Sequence, residues 1–161
     1  MYVSVVLAVL VGYFTYQWWF NPSRAIKWQL GELAAALSAP ADGTSDMDRV
    51  TRAARLRNYF AEDVRIHMGP SDPDITSRDA LVGAMSVWTP PGGWRVEFVD
   101  VQITIDSDST ARAYMTFEMT SRDPATGQST FDAREANVGL AERDGAWVIT
   151  TAEPAETLQK Q

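Results

Sequence analysis

The sequence predicts an α+β fold, three helices packed on one face of a curved antiparallel sheet, preceded by one membrane-spanning helix. Three observations carry this expectation. Residues 1–20, MYVSVVLAVLVGYFTYQWWF, contain no charged side chain. Much of 22–88 spaces its apolar residues three and four apart, the helical period. From Trp94 onward the period becomes two, in runs separated by turn-forming residues.

The first element is the uncharged run. At about 1.5 Å rise per residue it spans about 30 Å, the thickness of a bilayer's hydrocarbon core. Backbone groups in lipid must pair internally, so the run is expected to be an α-helix. Tyr13, Tyr16, Trp18, Trp19 and Phe20 crowd its end, where amphipathic rings favour the headgroup level. The run lacks a basic n-region and a small-x-small cleavage site, so an uncleaved single-pass anchor is preferred to a signal peptide. It also holds no His, Asp, Glu, Lys or Arg, the side chains usual for holding a haem or relaying protons at membrane depth, which makes it a tether or packing element.

Asn21-Pro22-Ser23 ends the run and opens a first helix, with Ser23 as expected N-cap and Ile26, Leu30, Leu33 and Leu37 on one face to about Ser38. Residues 38–44 are loop by composition. Ser45 or Asp46 caps a second helix, with Met47, Val50, Ala54 and Leu56 expected on one side and Arg49, Arg52, Arg55 and Arg57 as a solvated face. A short strand is expected at Val64 to Met68, and Gly69-Pro70-Ser71-Asp72-Pro73-Asp74 must be loop. Thr76 or Ser77 caps a third helix through Leu81, Met85 and Trp88. Trp94, Val96 and Phe98 then share a strand face, while Val101, Ile103 and Ile105 continue on the opposite parity, which predicts a β-bulge or bend between Phe98 and Val101. Ala111 to Met119, Phe131 to Ala141 and Ala146 to Ala152 complete the sheet, the last two joined at Asp144-Gly145. A bulge supplies curvature, and a curved sheet under helices makes a cone that can enclose a pocket.

Composition narrows the function. The chain has 161 residues, 14 Lys+Arg against 21 Asp+Glu, and a net charge of −7. An acidic chain without a basic run is unsuited to nucleic acid. There is no cysteine, which excludes disulfides and thiolate chemistry, and the one histidine, His67, excludes a multi-histidine metal site. No cofactor is called for. The expected division is an anchor at 1–20, one domain at 21–158 and a tail at 159–161.

Particular segments, in this order, resemble the NTF2-like (SnoaL-like, cystatin-like α+β) superfamily. They are the first helix from Ile26 to Leu37, Tyr59-Phe60-Ala61-Glu62-Asp63-Val64 at the exit of the second, Ile75-Thr76-Ser77-Arg78-Asp79-Ala80-Leu81 at the entry to the third, and Glu142 to Ile149, whose Gly145-Ala146-Trp147 resembles the family's final hairpin. The resemblance is greatest to bacterial members with an N-terminal anchor. It implies a domain on the periplasmic side of the inner membrane, whereas Arg24 and Lys27 lean towards a cytoplasmic domain. It also implies an open sheet face on which a second copy or another partner docks. Fold alone does not choose among the superfamily's dehydratases, isomerases, binders and protein-docking modules.

No catalytic set assembles by alternation. Asp132 and Arg134 read as a solvated pair at the mouth of the sheet. Glu135 and Asn137, beside Phe131, read as structural or as pocket-facing. His67 reads as a strand residue bonded to backbone or, with Tyr114, Glu135 and Asn137, as a set of ligand-binding pocket residues. Trp28, Trp88, Trp94 and Trp147 read as packing residues. The leading expectation is therefore a non-catalytic accessory subunit that docks on a larger membrane complex, photosynthetic or respiratory among the options. The alternative is a tethered small-molecule binder or a lyase/isomerase-type enzyme using the cone.

Overall fold

A computed structural model describes residues 6–13, 21–39, 45–69, 72–87 and 92–155. Residues 6–13 are helical and exposed. Among the described residues no helix is long and apolar enough to cross a membrane. Most of the expected anchor, including Tyr16, Trp18, Trp19 and Phe20, lies outside them, as do Trp88 and the tail at 159–161.

The domain opens with α1 (Pro22–Leu37), capped by Asn21 rather than Ser23. The Asn21 side chain accepts from the Ser23 N–H at 3.0 Å, and Pro22 fills the first helical position, where a missing N–H costs nothing. Ile26, Leu30, Leu33 and Ala34 form its buried stripe. The stripe packs beneath the sheet, and the helix end is sewn to it. Trp94 Nε1 donates to the Leu37 carbonyl at 2.7 Å, and Ser38 Oγ accepts from the Val96 N–H at 2.9 Å.

Helix α2 (Asp46–Leu56) carries the Ser45 cap the sequence predicts, and a 3-10 turn at Arg57–Tyr59 leads into β1 (Phe60–Ile66). The expected inward side of α2 is corrected. Met47 and Val50 are exposed, and Leu56 is the buried residue. Arg52 is not purely solvated, since its guanidinium stacks over Trp94 at 5.2 Å, and Arg57 pairs with Asp79 at 2.7 Å. Strand β1 begins four residues earlier than predicted because Phe60, Ala61 and Val64 supply its buried positions. Trp28 is also corrected from a packing residue to one that is 70% exposed.

After α3 (Arg78–Val87), with Ser77 accepting from the Ala80 N–H, come the long strands β2 (Trp94–Ser107), β3 (Thr110–Arg122), β4 (Ser129–Arg143) and β5 (Ala146–Pro154). The sheet order is β1-β5-β4-β3-β2, with β1 parallel to β5 and the other pairs antiparallel. The predicted bulge is present: register shifts between Val99 and Gln102, with Asp100 at φ 53°. Asp144 and Gly145, both at positive φ, make the predicted tight turn. Arg143 donates to Asp63 at 2.8 Å, linking the end of β4 to β1 across β5, and this hydrogen bond holds the Asp63 carboxyl below its ordinary range.

Gly92 enters β2 at φ +87°, and a Cβ there would lie 1.8 Å from the Arg122 carbonyl oxygen. Neither the dihedral nor the backbone contact admits a side chain. Gly92→Ala should therefore cost about 1–3 kcal/mol, seen as a lower urea midpoint at unchanged slope.

Candidate functional site: an apolar cavity with a histidine–aspartate pair at its rim

The helices do not fill the concave face of the sheet. A cavity of about 350 Å³ remains. Its walls are Leu30, Leu33 and Leu37 of α1, Leu56 of α2, Leu81 and Met85 of α3, and an inward stripe from the strands that includes Phe98, Met115, Phe117, Met119 and Val138. The stripe follows from alternation. Ala111, Ala113, Met115, Phe117 and Met119 share one face of β3, and pairing sets Phe117 against Phe98 and Arg134, and Met115 against Ala136. The Phe98 and Phe117 rings lie 6.0 Å apart, a tilted aromatic contact.

Polar side chains gather near the start of β4, where β5 and β1 end. His67, Arg134, Glu135 and Glu153 edge the cavity there. Arg134 pairs with Asp132 at 3.1 Å, both partly exposed, an arrangement alternation foretold. His67 follows directly on β1, and its N–H donates to the Ala152 carbonyl at 2.8 Å. Its ring has a partner that the sequence did not reveal, since Nδ1 lies 2.6 Å from Asp74 Oδ1. The cause is local. Ile66 and Ile75 exchange both backbone hydrogen bonds, at 2.8 and 3.0 Å, as an antiparallel bridge. In an antiparallel pair the next residues inward face each other, and these are His67 and Asp74.

The expected pocket set of His67, Tyr114, Glu135 and Asn137 does not converge, and the placement of three of its members is corrected. Tyr114 and Asn137 are cross-strand partners on the outer face of the sheet, where they line a groove with Gln102, Thr104 and Arg112. Glu135 alternates with the inward Arg134 and Ala136, so its side chain leaves on the outer face with Tyr114 although the residue edges the cavity. The parity of β4 was readable: Val138 and Leu140 outweigh Asn137 and Gly139 in apolar size, so even positions face the core. The hydrogen bond to Glu135, then desolvation and the neighbouring charge, raise the Tyr114 phenol above its ordinary value. Glu135→Gln should bring that phenol back towards the ordinary range, and ultraviolet titration against a Tyr114→Phe control measures it.

A largely apolar interior, with Arg52 of α2 stacked against Trp94 and the other polar groups at the rim, can hold a small apolar molecule and orient it by one end. Among the described residues no group of three or more His, Asp or Glu could hold a metal ion.

Helices over one face of a curved five-stranded sheet, with a cavity between the layers, define an NTF2-like, cystatin-like α+β cone. The chain belongs to the SnoaL-like domain family, whose model matches residues 45–153. No curated protein matches the sequence. Solved structures share the fold at low identity. A putative scytalone dehydratase from Novosphingobium aromaticivorans aligns with TM-score 0.66 and 18% identity, over 86% of this chain and 85% of that one. The CamKII hub homology domain of Chlamydomonas reinhardtii aligns with TM-score 0.63 and 12% identity, over 83% and 97%. An uncharacterized protein with a cystatin-like fold from Caulobacter vibrioides aligns with TM-score 0.60 and 16% identity, over 83% and 87%. A putative dehydratase and a hub homology domain thus superpose to a similar degree, and the likeness speaks for fold alone.

Proposed function

We propose that this protein is a membrane-tethered binder of a small apolar molecule, held in the cone between helices and sheet. The observation that carries the reading is the open apolar cavity of about 350 Å³. A core that served only stability would close such a space, because each unfilled volume forfeits dispersion contacts. The tether is the uncharged run at 1–20, placed in a bacterial inner membrane with the domain on the periplasmic side. With the acid/base candidates split between rim and outer face, binding is preferred to lyase or isomerase chemistry. The test is titration of the full chain with naphthalene, followed through the methyl signals of Met85, Met115 and Met119. Saturable shifts confined to those methyls support the reading, and their absence refutes it.

A second reading is supported by the aromatic end of the uncharged run. In it the protein is an accessory subunit, and Trp18 and Trp19 pack on a larger membrane complex. Replacing both with Ala should then reduce recovery of partner proteins from native membranes by severalfold, while the domain's melting temperature stays put. Unchanged recovery would remove this role for the pair.

A further inference from the structure

The rim histidine has one committed nitrogen and one uncommitted one. Asp74 as a carboxylate can only accept, so the proton shared at 2.6 Å belongs to His67 Nδ1. In the neutral ring Nε2 is then the acceptor. Among the described residues no hydrogen bond engages Nε2, and the ring both lines the cavity and stays about half exposed. The Ile66–Ile75 exchange of backbone hydrogen bonds holds the pair in place.

The surroundings decide what such an acceptor takes. A polar group driven deep among Leu33, Met115 and Val138 would lose its water without replacement, which is costly. A ligand's polar end therefore belongs at the rim. An anionic head has no proton to give to Nε2; the Asp74 carboxylate stands beside the ring, Arg134 is paired with Asp132, and the Arg52 guanidinium, which also lines the cavity, stacks over Trp94, so a neutral donor is favoured.

We propose that the cavity takes an apolar molecule whose single polar end, a phenol or alcohol, donates a hydrogen bond to His67 Nε2, with Asp74 as the positioning residue that fixes the tautomer. This assignment rests on the cavity being the ligand site and names the class of ligand it selects.

His67 is the chain's one histidine, so its ring nitrogens give the imidazole signals without overlap. In the full chain, in mildly alkaline buffer, nitrogen NMR should show the Nδ1–H tautomer, and Asp74→Ala should shift it towards Nε2–H. Naphthol and its methyl ether are then compared as probes. Both should move the Met115 and Met119 methyl signals, and only naphthol should move Nε2. Naphthol should bind about tenfold more tightly than the ether, the worth of one hydrogen bond, and His67→Phe should erase the difference. Equal affinities with an unmoved Nε2 signal would overturn the assignment and leave the cavity reading intact. Methyl signals unmoved by either probe would overturn both. The wild-type ring signals decide the matter even if His67→Phe fails to fold.

Discussion

Trp147→Ala should cost about 3–5 kcal/mol, a large share of the roughly 5–15 kcal/mol that holds a domain of this size together. Trp147 is buried in β5, packed in the core with Leu140 and Ile149, and lies opposite Glu142 across the final hairpin. Its carbonyl accepts the Gln29 side-chain amide, so β5 is tied to α1 at the same point. Truncation to Ala leaves a void that neighbours on two strands and a helix cannot close together. The melting temperature should fall by on the order of 10 °C, with the denaturant slope unchanged. A fall of a degree or two would mean that the hairpin packs on something other than this core.

Ala136→Trp should abolish uptake of apolar probes. Ala136 lies on the inward face of β4, between Met115 of β3 and Pro154 of β5, and lines the cavity. An indole at that position extends into unfilled space. The overpacking penalty that usually attends a small-to-large change should therefore be held to about 1–2 kcal/mol. The expected result is a folded protein whose affinity for naphthalene falls at least a hundredfold. A variant that binds as the wild type does would mean that probes enter elsewhere.

Much of this architecture was legible from the chain because its determinants are local. Ser45 and Ser77 act as caps by accepting from the N–H groups of Asp48 and Ala80, Asp144-Gly145 makes the turn its φ preferences demand, and the parity switch after Phe98 becomes the bulge at Val99–Gln102. What was less legible depends on tertiary choice. Met47 and Val50 look inward by spacing alone, but α2 turns Leu56 to the core, and Arg52 meets Trp94 instead. Trp28 is apolar enough for a core, yet it stands opposite the stripe of Ile26, Leu30 and Leu33 and is exposed.

The site divided in the same way. Tyr114 could be placed outside by the apolar run at Ala113, Met115 and Phe117, and the Arg134–Asp132 pair could be read from alternation. The His67–Asp74 pair could not, because it exists only once Ile66 and Ile75 pair across a loop containing two prolines and a glycine. The cavity itself is a difference between helix positions and sheet curvature, and no residue announces it.

The account stands on the cone being occupied in the cell, and the most direct measurement is chemical. The full chain is purified from its own cells and extracted with organic solvent, and the extract is analysed by mass spectrometry beside that of Ala136→Trp. The account predicts one small apolar molecule, near one per protein, bearing a hydroxyl and missing from the variant. Identical extracts from both proteins, holding bulk lipid alone, would contradict it.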